Sequence, residues 1–205
     1  MVIKLILAAL AGYLIGSVPW ALVIGKVFYN TDVREHGSHN LGATNAGRVL
    51  GKKVFFAVAT LDALKGLIVY LILNHFDHNM ALAGAVGTIL GHCYPLFSNF
   101  KGGKGVATSG GIVIGLALGS GLQYFLLQLV LPLAVLVIIV LTTKYMSLAS
   151  ISAYLTAVVV AWLFNPNLAD KLTLTFLCIF VIYKHRENIV RLLKHQENKT
   201  SFSKK

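Results

Sequence analysis

Long apolar runs alternate with short polar breaks along the chain. Seven runs approach or exceed the length needed to cross a bilayer, at about residues 3–29, 54–74, 80–97, 106–120, 122–143, 147–165 and 168–183. The pattern predicts an all-α, polytopic membrane protein with seven transmembrane helices. Pro19, in Gly16-Ser17-Val18-Pro19, should kink the first run, because proline offers no N–H to the preceding turn. The pairs Gly12/Gly16 and Gly87/Gly91 and the series Gly111/Gly115/Gly119 put small residues on one helical face, which lets helices pack closely in lipid. The two short runs, 80–97 and 106–120, flank a polar break at 98–105.

Charge orients these runs. Fourteen of the 18 lysines and arginines fall in 30–53, 98–105, 144–146 and 184–205, against Lys4 and Lys171 on the other side; Lys26 and Lys65 lie within runs. The excess of positive charge marks the cytoplasmic side, so the N-terminus is expected outside and the C-terminus in the cytoplasm, a split that requires an odd number of spans. Lys4 and Ala9-Leu10-Ala11 have some look of a secretory leader. The apolar pattern continues to about Tyr29, however, so the reading is an uncleaved first span.

Composition narrows the class further. The chain has 205 residues, 57% hydrophobic and 12% charged, and a formal net charge of +11. Basic residues placed between apolar runs serve orientation in a membrane, and no nucleic-acid partner is expected. No large soluble domain fits between the runs, so residues 1–205 are read as one membrane domain with a basic cytoplasmic tail at about 184–205. Ile189, Val190, Leu192 and Leu193 among basic residues suggest a short helix on the anionic inner leaflet. Beyond about Gln196 the tail is expected to be disordered. Cys93 and Cys178 supply neither a disulfide framework nor metal-site spacing.

Four polar clusters fall on the predicted cytoplasmic side. The first is Gly37-Ser38-His39-Asn40-Leu41-Gly42-Ala43-Thr44-Asn45 with Arg48, where Ser38, Asn40, Thr44 and Asn45 supply polar groups and Arg48 a guanidinium suited to phosphate oxygens. The second is Lys101-Gly102-Gly103-Lys104-Gly105, two charges and three glycines ahead of a helix whose N-terminal N–H groups would face back toward the loop. It lacks the G-x-x-x-x-G-K-[ST] of a nucleotide loop, because Gly105 follows Lys104. The third, Lys144 to Ser150, places Ser147 and Ser150 on one face at a helix start, as helix caps or as site residues. The fourth, Tyr183 to Asn188, offers His185 for proton transfer and Asn188 for orienting a hydroxyl, in a segment that also suits a plain juxtamembrane end.

Asp62 and Lys65, three apart within a run, are read as a buried structural pair, with a functional role as the alternative. His92, Tyr94 and Pro95 precede the lysine–glycine loop and can shape its entrance. His75, Asp77 and His78 crowd an outer loop without matching a metal template. Near the clusters the acids are few, namely Asp32, Glu35, Glu187 and Glu197, which disfavours two-metal phosphoryl transfer. Clustered Lys, Arg, Ser, Asn and Gly favour direct, metal-free binding of phosphate. A transporter for a phosphorylated solute is the alternative; one-sided polar clusters and the lack of an internal repeat argue against it.

In order, Gly37-Ser38-x-Asn40-x-Gly42-Ala43-Thr44-Asn45-x-x-Arg48, Phe100 to Thr108, Tyr145-x-Ser147-x-x-Ser150 and His185-Arg186-Glu187-Asn188-Ile189 closely resemble the PlsY family of bacterial acyl-phosphate:glycerol-3-phosphate acyltransferases. The likeness extends to Gly16-Ser17 and Asp62-x-x-Lys65-Gly66 and covers essentially the whole chain. It implies transfer of a fatty acyl group from acyl phosphate to the 1-hydroxyl of glycerol 3-phosphate, giving lysophosphatidic acid and phosphate, without cofactor or metal. It also implies a multi-pass protein of the bacterial inner (cytoplasmic) membrane with its site at the cytoplasmic face, surrounded by membrane lipid. Transient contact with the enzyme that makes the acyl phosphate is expected. Ser38, Asn40, Thr44, Asn45, Arg48, Lys101, Gly102, Gly103, Lys104, Gly105 and Ser150 would bind phosphate or substrate, and Ser147, His185 and Asn188 would be catalytic. The chain departs from the family pattern at His39 and His195, where glycine is usual, and at Lys184, where arginine is usual. His39 is expected to narrow the first loop or to add a proton donor.

Overall fold

The computed structural model describes residues 1–118 and 122–200, and among these every regular element is a helix. Each of the seven predicted runs is mainly helical over its described residues. Five helical stretches are long and apolar enough to cross a membrane: Val2–Tyr29, Lys52–Phe76, His78–Ser98, Leu122–Thr143 and Met146–Phe164. The other two are an apolar helix of 13 residues, Val106–Leu118, and one of 17 residues, Leu168–Lys184. Gly119, with the end of the fourth run, and Lys204 and Lys205 lie outside the described residues. The chain forms two compact units, whose described parts are residues 1–112 and residues 113–118 with 122–200.

In the first unit the predicted kink is a full break. Helix α1 (Val2–Gly16) stops at Ser17, and α2 (Trp20–Tyr29) starts after Pro19. Ser17 Oγ turns back to donate to Tyr13 O at 2.7 Å. The carbonyls of Gly16 and Val18, left by the interrupted helix, accept from Lys65 Nζ at 3.0 and 3.1 Å. Lys65 lies on α4 (Lys52–Phe76), which follows the short α3 (Ala43–Leu50). Helix α5 (His78–Cys93) starts at Asp77, whose carboxylate caps Met80 N.

The predicted glycine faces meet each other. Gly12 and Gly16 of α1 press against Gly84 and Thr88 of α5, while Gly87 and Gly91 of α5 press against Ala9 and Tyr13 of α1. A methyl on Gly87 would run into the Ala9 carbonyl, so the two backbones touch with no side chain between them. Tyr13 Oη then donates to Tyr94 O at 2.9 Å, beside the end of α5. Gly66 on Thr108 and Gly111 on Ala63 join α4 to α6 (Val106–Leu118) in the same way.

In the second unit, α7 (Leu122–Phe125) runs through a π-helical turn, Leu126–Val130, into α8 (Leu131–Thr143). Pro132 lacks the N–H that an α-helix would return to Gln128, and the turn before it widens. Lys144, in left-handed backbone at φ 62°, ends α8 and feeds α9 (Met146–Phe164). Between α9 and α10 (Leu168–Lys184), Asn165 Nδ2 donates to Tyr124 Oη at 2.7 Å, and Asn167 Oδ1 caps Ala169 N. Helix α11 (Arg186–Leu193) carries the chain into the tail. Of the tail predicted to be disordered beyond Gln196, residues 197–200 are instead pinned: Thr200 N donates to Lys144 O at 2.7 Å, and Glu197 is held as described below, while residues 201–205 lie outside the described residues.

Candidate active site

The first loop is organised around Asn45. Its Oδ1 accepts from Ser38 N at 2.7 Å, and its Nδ2 donates to Val33 O at 2.9 Å and His36 O at 3.1 Å. The side chain is 1% exposed and spends its amide on the loop itself, so Asn45 shapes the loop. Gly37, at φ 64°, passes directly over it, and a methyl there would meet Asn45 Oδ1. Ser38 is exposed at the turn, Asn40 and Thr44 are half-buried, and half-buried Arg48 lies in the last turn of α3. At the loop's base Asp32 accepts from Arg34 Nε at 2.9 Å and caps Arg34 N. That hydrogen bond holds the Asp32 carboxyl well below the usual carboxylate range. His39 stands in left-handed backbone at φ 56°, with Nδ1 2.8 Å from Arg34 O. A carbonyl only accepts, so Nδ1 carries the proton. The ring is exposed and turned to the loop's own backbone.

The lysine–glycine loop is tied at both ends. In its approach, Phe100 N donates to Pro95 O at 3.0 Å and Ser98 Oγ to Lys101 O at 2.9 Å. Farther on, Gly103 N donates to His92 O at 3.1 Å. Methyls on Gly102 and Gly103 would run into His92 O and His92 Nε2 respectively. The sequence suggests that these glycines let backbone approach a ligand; the structure shows them letting backbone approach His92. Gly105, at φ 83°, turns the chain into α6, whose N-terminus faces the loop as expected. Lys101 is exposed, and Lys104 is half-buried. Beneath, Asp62 Oδ1 lies 2.9 Å from Lys65 Nζ and 3.4 Å from His92 Nδ1, with all three side chains buried.

In the second unit two of the candidate residues, Ser147 and Asn188, converge on a carboxylate. Glu197 Oε1 accepts from Ser147 Oγ at 2.9 Å and from Asn188 Nδ2 at 2.6 Å, while Oε2 accepts from Arg191 Nε at 2.8 Å. Burial pushes the Glu197 carboxyl up. The donors from Asn188, Arg191 and Ser147 and the Arg191 charge outweigh it, so the group titrates below its ordinary value. His185, 3% exposed, lies between α10 and α11 with Nδ1 2.8 Å from Val181 O. The carbonyl again fixes the proton on Nδ1, so in the neutral ring Nε2 is the basic nitrogen. Ser150 Oγ bonds back to Met146 O at 2.7 Å, within its own helix.

The model of the glycerol-3-phosphate acyltransferase family matches residues 6–195, nearly the whole chain. This chain belongs to that family. A glycerol-3-phosphate acyltransferase of Listeria monocytogenes is 41% identical over 203 residues, covering 97% of this chain and 98% of that one. Glycerol-3-phosphate acyltransferase 3 of Bacillus anthracis is 40% identical over 200 residues, covering 96% and 95%. Crystal structures of PlsY, an integral membrane glycerol 3-phosphate acyltransferase, share the fold. The glycerol 3-phosphate form gives a TM-score of 0.87 at 34% identity, covering 96% of both chains. The lysophosphatidic acid form gives 0.84 at 34% identity, covering 95% and 94%.

Within this PlsY-family member, one organising residue, Glu197, stands outside the clusters read from the sequence. In the sequence Glu197 stands out only as one of the few acids near the clusters. A lone carboxylate among Arg191, Lys194 and Lys199 is the signal that could have marked it as a partner for buried donors. His92 was read as shaping the loop entrance, and the structure gives that role a geometry.

Proposed function

We propose that this PlsY-family chain transfers a fatty acyl group from acyl phosphate to the 1-hydroxyl of glycerol 3-phosphate. The observation that carries the reading is the end-to-end similarity to PlsY structures in glycerol 3-phosphate and lysophosphatidic acid forms. The hydroxyl oxygen attacks the acyl carbonyl carbon, the carbon–oxygen bond to phosphate breaks, and the departing phosphate takes the hydroxyl proton. The products are lysophosphatidic acid and inorganic phosphate. Acyl phosphate arrives activated, so positioning and charge stabilisation suffice, without metal or cofactor. Arg48, Lys101 and Lys104, with Ser38, Asn40, Thr44 and loop amides, bind phosphate. Ser147, His185 and Asn188, backed by Ser150, position glycerol 3-phosphate. The protein sits in the bacterial inner membrane in seven passes, N-terminus outside, and works at the cytoplasmic face. There the enzyme that makes acyl phosphate can deliver it by transient contact.

The test is direct. Purified protein given palmitoyl phosphate and glycerol 3-phosphate should release phosphate only when both are present, and Lys104→Ala should lose most of that release. Release that does not depend on glycerol 3-phosphate would overturn the reading. Uptake of a phosphorylated solute into vesicles, with no acyl transfer, would instead favour transport.

A further inference from the structure

The phosphate role of the Lys101–Gly105 loop is part of the function proposed above, and the present inference rests on it. Three buried side chains in the first unit have no part in that chemistry: Asp62 at 2% exposure, Lys65 at 5% and His92 at 6%. Taking a carboxylate and an ammonium out of water carries a large desolvation cost, and well-packed apolar residues commonly replace such a pair without loss of stability. A buried pair therefore needs a reason other than holding helices together.

Its contacts supply one. Lys65 Nζ is fixed by the carbonyls of Gly16 and Val18 at the break between α1 and α2. Asp62 Oδ1, 2.9 Å from that ammonium, faces His92 Nδ1 at 3.4 Å. The opposite edge of the imidazole carries Nε2, and Gly103 lies so close that a Cβ there would meet Nε2, Cε1 and Cδ2 of this ring. The His92 carbonyl meanwhile accepts from Gly103 N. Backbone and ring of one residue thus seat the rear of the loop. The ring's rotation is set by a carboxylate that is itself held by a lysine bonded to the first span.

We propose that His92 is a positioning residue for phosphate binding, oriented by the buried Asp62–Lys65 pair and holding Gly102–Gly103 so that Lys101 and Lys104 flank a fixed turn of backbone. It touches no substrate. Its effect passes through the loop, where a displacement of about 1 Å can cost a hundredfold in rate.

The experiment is a double-mutant cycle between His92→Ala and Gly103→Ala in detergent-solubilised protein. It reads the KM for palmitoyl phosphate, kcat, and the rise in Tm produced by inorganic phosphate. The expected result is a roughly tenfold higher KM for His92→Ala, with loss of the phosphate-dependent Tm rise. Gly103→Ala should raise KM by a similar factor alone, because its methyl meets the imidazole, yet by less than about twofold in the His92→Ala background. Wild-type KM and an intact phosphate response in His92→Ala would overturn the inference, as would equal Gly103→Ala effects in both backgrounds. A fall in kcat and Tm with unchanged KM would reduce His92 to a packing residue and also overturn it. Should His92→Ala not fold, His92→Asn keeps a donor for Asp62 while withdrawing the ring edge from Gly103, and the same outcomes decide. The wild-type phosphate response separates the two claims. Its absence counts against the phosphate reading of the loop and the inference together, whereas its persistence in His92→Ala counts against the inference alone.

Discussion

Asn188 Nδ2 donates to Glu197 Oε1 across 2.6 Å, tying α11 to the tail that follows it. Ser147 Oγ donates to the same oxygen, so a residue at the head of α9 and one in α11 share an acceptor from the tail. Glu197→Ala should therefore release together two groups that we propose position substrate, and lower kcat/KM by roughly ten- to a hundredfold. Glu197→Gln keeps an acceptor for Asn188 or Ser147 but loses the charge facing Arg191, so it should fall between wild type and Glu197→Ala. Steady-state phosphate release with palmitoyl phosphate gives the ranking; wild-type activity in Glu197→Ala would contradict it.

The same carboxylate has a pH signature. Its folded pKa lies below the ordinary value of 4.5, so the unfolded chain binds the proton more readily. The stability contributed by Glu197 is then fully present above that ordinary value and is lost as pH falls through the lowered folded value. The Tm gap between wild type and Glu197→Gln should stay constant from neutral pH down to about 5 and close at lower pH. A gap that widens on acidification would reverse the sign and refute the assignment.

Asn45 offers a stability test separate from chemistry. Asn45→Ala leaves Ser38 N, Val33 O and His36 O without the partners they now have in this side chain, at a cost of about 2–3 kcal/mol. Asn45→Asp preserves shape and the acceptor for Ser38 N but turns an acceptor toward two carbonyls, and should be at least as damaging as Asn45→Ala. Thermal unfolding in detergent measures both.

The α1–α5 contact predicts a contrast between two glycines. Gly87→Ala pushes a methyl into the Ala9 carbonyl and should destabilise by roughly 1–3 kcal/mol as the helices part. Gly110→Ala, in α6, meets nothing within 4 Å and should be neutral, or stabilising by up to about 1 kcal/mol through helix propensity. Comparable losses at both positions would show that helix contact is not what selects glycine at position 87.

The legible features were those that repeat or act locally. Apolar run length gave the helices, Pro19 gave the break, and the spacing of Gly12, Gly16, Gly87 and Gly91 gave the faces that meet. What stayed hidden was long-range or conformational. Nothing local links Glu197 to Ser147, fifty residues away, or Gly103 to the ring of His92. The two departures from family glycine have one physical explanation: His39 and His195 both occupy left-handed backbone, at φ 56° and 54°. Glycine enters that region without strain, and histidine does so at a cost of about 1 kcal/mol or more. His39 offsets part of the cost by bonding Arg34 O.

The break in the first span has a bearing on descent. Pro19 interrupts the helix, and Lys65, from another span, serves the carbonyls of Gly16 and Val18. A lineage that lost the proline and straightened the span would return those carbonyls to helical N–H donors and take two acceptors from an ammonium inside the bilayer. One that lost the lysine first would strand two carbonyls in the apolar interior. Neither single step is easy, so the two positions should change together or not at all in related chains, although 46 residues separate them in the sequence.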